Sequence, residues 1–372
     1  MIVDDNQSCQ PEVIIVMRPK SFNFLKTMVE APSPSGYEMP AVRIFCEYIQ
    51  PYADEVSIDV MGNASALLSG KAPGPRVMIS GHCDEIGFMV QYIDDQGFIY
   101  FSCIGGIDLH LIPGHRVQIH TENGPILGVI GRKPIHLMED EERKKVSKIT
   151  DLFIDIGAHH KKDVENHVHI GDPITIDIGL KKLKNNMVSS RALDDKVGSF
   201  VVAETLRLVK ERGCPFNGQL ISVATVQEEI GIRGATTSAY RHQPDVGIAI
   251  DVGFATDQPG IEKKKVGDIS VGKGPIIARG ANINPVVFDL LIKTAEQIQL
   301  PYQIVGAPRS TGTDANVMQL SRSGVAAALL SVPCRYMHTP VEIVSTKDLE
   351  NTALLLSSFI CNLSADMSFI PS

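Results

Sequence analysis

The chain holds 372 residues, 44% of them hydrophobic and 21% charged, values that fit a soluble globular protein and exclude intrinsic disorder. That length suffices for two domains, or for one large α/β domain carrying an insertion. A formal net charge of -8 makes nucleic acid a poor partner, because phosphate contacts need a concentrated basic surface.

Helical spacing covers Ser21 to Glu30 and Glu38 to Gln50, separated by the breaker run Ala31-Pro-Ser-Pro-Ser-Gly36. Strand-like runs follow at Glu55 to Val60, Ala66 to Leu68 and Arg76 to Gly81, the last of the buried kind. From about Phe88 to Ile178 the texture changes. Short strand-like pieces (Phe88 to Ile93, Phe98 to Cys103, Arg116 to His120, Ile126 to Ile130, Phe153 to Ile156, Pro173 to Ile178) are punctuated by Gly, Pro and Asn-Gly signals. That pattern predicts a small all-β insertion. Beyond it, helices at Val197 to Glu211, Val286 to Gln299 and Lys347 to Ser357 alternate with strands at Gly218 to Val226, Val246 to Val252 and Val325 to Val332. Alternation of this kind implies an α/β sandwich on a largely parallel sheet, with functional residues at the carboxyl ends of its strands.

Seven cysteines (Cys9, Cys46, Cys83, Cys103, Cys214, Cys334, Cys361) form no CxxC pair and read as free thiols of a reducing compartment. The best apolar stretch near the start, Val13 to Met17, is too short for export or membrane insertion. The expectation is a cytoplasmic protein with neither membrane nor nucleic-acid partner. The lysine clusters, such as Lys144-Lys145 and Lys263 to Lys265, are short and scattered and read as solvated faces.

Candidate ligands collect where the predicted strands end. His82 and Asp84 follow the strand closing at Gly81, Asp194 precedes a helix, Glu228 and Glu229 follow Leu220 to Val226, Asp251 ends Gly247-Ile-Ala-Ile-Asp251, and His338 follows the strand ending near Val332. Taken singly, such residues are as readily capping or surface groups. Two acids directly after a buried apolar strand, however, must be paired, protonated or on metal. Imidazole and carboxylate without cysteine suit zinc, cobalt or manganese. A carboxylate shared by two ions, with one His and one acid for each, describes a dinuclear hydrolytic site with ions roughly 3.5–4 Å apart. His159, His160, His167 and His169 read as exposed loop histidines, Cys83 as a buried thiol, and Thr313 and Asp314 as either pocket or capping residues.

Five motifs in this order carry a resemblance: Gly81-His-Cys-Asp-Glu-Ile-Gly87, Arg191-Ala-Leu-Asp-Asp195, Val226-Gln-Glu-Glu-Ile-Gly-Ile-Arg-Gly234, Ala249-Ile-Asp-Val252 and Arg335-Tyr-Met-His-Thr-Pro-Val-Glu342. Together with Gly105-Gly106, Leu111 to Val117, Gly128 to Gly131 and Gly312-Thr-Asp-Ala315, they resemble the glutamyl/tetrahedral aminopeptidase family of dinuclear metallopeptidases, some of whose members have carried the name endoglucanase. The resemblance covers nearly the whole chain past about residue 20. It departs after Asp251, where Val252-Gly253-Phe254 stands in place of the family's frequent His or Thr. It departs again at Ile107-Asp108, where a tryptophan is common.

The resemblance implies a three-layer α/β sandwich metallopeptidase domain from 1–87 and 179–372, with a barrel-like β domain at 88–178 that helps to assemble a homo-oligomer, often a tetrahedral dodecamer. It implies two divalent metal ions per subunit, zinc first and cobalt or manganese otherwise. Asp194 would bridge them, His82 and Asp251 would complete one site, and Glu229 and His338 the other. Glu228 would be the general base, and Asp84 would orient His82. The implied activity is hydrolysis of the N-terminal residue of short peptides. Two enzymatic rivals share these residue types: a deacylase or amidase on N-acyl amino acids, and a glycosidase, whose paired acids work without metal at about 5–9.5 Å. A third reading is a non-enzymatic, metal-dependent assembly protein.

Overall fold

The computed structural model describes residues 17–213 and 215–371; Cys9, Cys214 and most of the apolar stretch from Val13 lie outside them. The chain opens with α1 (Pro19–Glu30), α2 (Met39–Ile49), β1 (Glu55–Ile58), β2 (Ala64–Ser69) and β3 (Arg76–His82). Next come β4 (Gly87–Ile93), β5 (Ile99–Ile104), β6 (Arg116–Thr121), β7 (Gly124–Gly131), α3 (Asp140–Arg143), β8 (Phe153–Asp155), α4 (Lys161–Glu165) and β9 (Pro173–Ile176). The return runs through β10 (Lys181–Lys182), β11 (Met187–Ser190), α5 (Leu193–Arg212), β12 (Gln219–Thr225), α6 (Arg233–His242) and β13 (Val246–Phe254). It ends with α7 (Lys263–Val266), β14 (Ile276–Gly280), α8 (Pro285–Gln297), β15 (Gln303–Ala307), α9 (Asp314–Gln319), β16 (Ala326–Cys334), β17 (Glu342–Ser345) and α10 (Thr346–Cys361).

Eight strands form one sheet in the order β1-β2-β12-β3-β13-β16-β14-β15. Its centre, β12-β3-β13-β16, is parallel, whereas β1, β2 and the β14–β16 pairing are antiparallel, so the predicted parallel sheet is mixed at its edges. Helices cover both faces. Gly81 of β3 packs on the backbone of α5, while Ser80, one residue earlier and pointing the other way, donates to Asp314 of α9 at 2.8 Å. This mixed α/β sandwich with a closed barrel is the predicted fold class.

Local chemistry explains the helix limits. α1 and α8 start with proline at a position that needs no N–H, and Asn284 caps α8 by accepting from Val286 and Val287 at 3.0 and 3.1 Å. Gly213 ends α5 at φ 61°. α5 is buried on nearly all sides between the sheet and its neighbouring helices, and the charges enclosed with it are paired, Lys196 with Glu85 and Arg207 with Glu204. A side chain at Gly81 would overlap the backbone of Gly198 and Ser199. Gly81→Ala is therefore expected to cost about 1–3 kcal/mol, read as a lower urea midpoint at unchanged slope.

β4, β5, β8, β7, β6 and β9 close into a barrel with its own core, including Phe88, Phe101, Val117, Ile119, Ile130 and Ile154. Its longest helix, α4, has five residues, in keeping with the strand-like texture of that stretch. Cys46, Cys83, Cys103 and Cys334 are free thiols. Cys361 is disulfide-bonded and corrects the expectation of free thiols throughout; spacing along the chain does not reveal which sulfurs a fold brings within bonding reach. No helix among the described residues is long and apolar enough to cross a membrane.

Candidate metal centre

The register of the sheet lines up the strand ends. His82 closes β3 opposite Thr225 of β12, and Ser80 pairs with Ala249 of β13, which sets Asp251 level with His82. Loops leaving parallel strands at one edge converge, so Glu228 and Glu229 after β12 and His338 after β16 reach the same place. Asp194 enters from the start of α5, where its backbone is extended (ψ 109°) before the regular helix begins.

One carboxylate stands between two imidazoles. His82 Nε2 lies 3.3 Å from Asp194 Oδ1, and His338 Nε2 lies 3.3 Å from Asp194 Oδ2. The other nitrogen of each ring is committed: Nδ1 of His82 donates to the Asp84 carbonyl at 3.1 Å, and Nδ1 of His338 to the Gly106 carbonyl at 2.7 Å. A carbonyl only accepts, so Nδ1 carries the hydrogen and Nε2 faces the carboxylates. Glu229 Oε1 is 3.5 Å from His338 Nε2, and Glu228 Oε2 is 3.9 Å from His82 Nε2. Donor atoms of His82, Asp194 and Glu229 lie within 4.8 Å of one another, as do those of His82, Asp195 and Asp251. The seven residues singled out from sequence thus meet at one spot.

The acid-bearing loop is gripped at four successive amides. Val226 donates to Asn63 Oδ1 (3.1 Å), Gln227 to Glu38 Oε1 (3.1 Å), Glu228 to Asp84 Oδ1 (3.0 Å) and Glu229 to Asp84 Oδ2 (3.1 Å). The Asp84 carboxylate therefore places the two glutamates, while its carbonyl orients His82. Two further acids were missed by sequence reading. Asp195 accepts the N–H of His82 at 3.2 Å, and Glu342 accepts the N–H of Asp194 at 3.0 Å and of His338 at 2.9 Å. Both lie inside the quoted motifs, so the available signal was an acid kept in a buried stretch. Gly105, at φ 75°, brings the barrel's edge against Glu229, where a side chain would also collide with Ile86.

Charge makes this a candidate cation site. Burial, reinforced by Asp194, pushes Glu229 up to about 8, and burial pushes Glu228 up to about 7. Burial and Asp194 likewise drive Asp251 well above the carboxylate range. Burial opposes ionisation of Asp194 too, but hydrogen bonds from His338 and His82 hold it down at about 2. Acids crowded out of water around two imidazoles call for a compensating positive charge, which divalent cations among N and O donors would supply. The donor set fits zinc, cobalt or manganese.

Beside the centre opens a cavity of about 730 Å³ lined by residues from β13, β14, β15 and β16 and by the loop from Pro308 to Thr313. Thr313 lines it, whereas Asp314 is buried, accepting from Ser80 and Thr225 at 2.8 and 2.7 Å. Cys83 is buried. The insert histidines form no group of three metal-capable donors among the described residues.

The model of the M42 glutamyl aminopeptidase family matches residues 62–355, which contain the whole site. The chain belongs to that family. Its members are metallopeptidases, and this M42 chain is a peptide-bond hydrolase of the aminopeptidase kind. It is 36% identical to the lysyl aminopeptidase of Pyrococcus furiosus over 354 residues, 94% of this chain and 99% of that one. The solved TET aminopeptidase of a marine sediment archaeon of the Thaumarchaeota superposes with a TM-score of 0.88 at 36% identity, over 92% and 96% of the two chains. The TET1 peptidase of Pyrococcus horikoshii, which can assemble into a tetrahedron or a large octahedral shell, superposes at 0.81 with 30% identity over 92% and 100%.

Proposed function

We propose that this M42 chain is a dinuclear metallo-aminopeptidase that removes the N-terminal residue of short peptides. The observation that carries the reading is Asp194, whose two oxygens each face the Nε2 of a different histidine at 3.3 Å. Asp194 would stand between two divalent cations, with His82 and Asp251 holding one and Glu229 and His338 the other. The bound ions would acidify a water and polarise the scissile carbonyl.

The protein's own groups do the rest. Glu228 accepts the proton of the attacking water at its carboxylate and delivers it to the departing amine. It suits that task because burial sets it near neutrality, at about 7. Asp84 fixes its backbone, and Glu342 keeps Asp194 and His338 in mutual register through their amides. The substrate's α-amine docks beside the acids of the centre, which restricts cleavage to free N-termini.

Chelation followed by dialysis is expected to abolish hydrolysis of aminoacyl-p-nitroanilides, and added Zn, Co or Mn to restore it. N-acetylated substrates should stay uncut in every case. Cleavage of the blocked substrates at comparable rates would replace this reading with the deacylase. We further propose a homo-oligomer, in the tetrahedral dodecamer form, working in the cytoplasm. Exposed Leu127 and Val129 on the barrel and Ile135 and Leu137 beyond it support that assembly. Light scattering behind size exclusion measures it.

A further inference from the structure

We propose that the cavity beside the centre is built for an uncharged, apolar N-terminal side chain of leucine or methionine type, and that it rejects lysine. The inference rests on the aminopeptidase reading and names the substrate class of that site.

Strand register places the cavity's floor. Asp251 of β13 pairs with Ser331 of β16, so the floor begins next to the centre and runs sideways away from His82. Ile276 of β14 pairs with Ser331, and Ala278 pairs with Val305 of β15, with Gly280 opposite Ala307. Side chains alternate along a strand, so Leu329, Ser331, Ile276, Ala278, Val305 and Ala307 share one face, and all six line the cavity. Five of the six are hydrocarbon. Gly253 keeps this face continuous with the centre, since a side chain there would strike Ile276 and Ser331.

Charge lies only at the margins. Apart from the acids of the centre, the charged residues lining the cavity are Lys265 and Arg309, and both are exposed. Lys265 is 3.2 Å from Glu262, and Arg309 has no ion pair among the described residues. A lysine side chain lowered onto the floor would lose its hydration, meet no carboxylate and feel two cations at the mouth. A glutamate would also be stripped of water over hydrocarbon, while its only counter-charges stay out in solvent, where they are screened. An aliphatic side chain loses nothing and covers the floor. Phe254, exposed beside the opening, extends that apolar surface outward. The relative named lysyl aminopeptidase therefore does not predict the preference of this chain.

The test is a panel of leucyl, methionyl, glutamyl and lysyl p-nitroanilides on the metal-loaded full chain. Alongside, the shift in Tm caused by free methionine, lysine and glutamate reads the cavity without turnover. The expected result is kcat/KM at least ten-fold higher for Leu and Met than for Lys or Glu, with methionine giving the largest shift. Val305→Glu puts a carboxylate on the floor and should raise the Lys-to-Leu ratio at least ten-fold. Ile304→Glu, on the opposite and solvent-facing side of the same strand, should leave the ratio unchanged. Lysine or glutamate preferred by the parent, or a folded Val305→Glu with the parent's ratio, would overturn the proposal. If no panel member is cut, the aminopeptidase reading fails, and the Tm shifts alone decide for or against the apolar cavity.

Discussion

Glu228→Gln is expected to lower kcat by about 10²- to 10⁴-fold, the range contributed by a positioned proton carrier, with metal content and fold unchanged. The Glu228 carboxylate sits 3.9 Å from His82 Nε2 and is almost wholly buried. Burial raises it to about 7, so it can take up and release a proton near neutrality. Glutamine keeps the shape and loses the proton. The amide at 228 remains tied to Asp84, so the loop should hold its position. Replacing the neighbouring Glu229 by glutamine should instead lower metal occupancy, because that carboxylate faces His338 and Asp194. Steady-state kinetics with metal content measured on the same samples separates the two. A Glu228→Gln enzyme within a few-fold of the parent would remove Glu228 from the reaction.

Glu85→Gln is expected to cost about 3–5 kcal/mol of stability, the usual penalty for deleting one partner of a buried ionic cluster. Glu85 binds the Arg191 guanidinium through one oxygen and Lys196 Nζ at 2.9 Å through the other. Lys196 is fully buried and Arg191 nearly so. Without the carboxylate, two cations would stay buried beside the carbonyls of Glu30 and Ala31. Burial would raise Glu85, but Arg191 and Lys196 hold it down at about 2, below its usual 4.5. A depressed acid stabilises the fold fully above its unfolded value, and the contribution fades as pH falls through about 4.5 towards 2. Urea unfolding at pH 7 and at pH 3 should therefore show a large gap between parent and variant at the higher pH and a smaller one at the lower. Equal gaps at both would mean that Glu85 acts by shape alone.

Much of this centre was legible because its signals are local. An apolar run ending in His-Cys-Asp or Gln-Glu-Glu tells of a buried strand delivering polar groups to an edge, whatever the strand pairs with. The barrel's short strands declared themselves through turn residues. By contrast α6, β14, β15 and α9 went unread, since their short, mixed segments take their form from packing against the sheet. The disulfide at Cys361 was equally invisible.

The ligand residue types, the alternation of helices and strands and the change of texture from about Phe88 are properties of neighbouring residues, so they could be read from one chain. Which oxygen of Asp194 each histidine faces, how Asn63, Glu38 and Asp84 hold four successive amides, and why the cavity beside the centre is floored with hydrocarbon are of another kind. Glu342 meets Asp194 from 148 residues away, and Ile276 meets Ser331 across two strands of a sheet. Those meetings follow from register and from the close approach of β3 to α5. They exist only once the chain has folded.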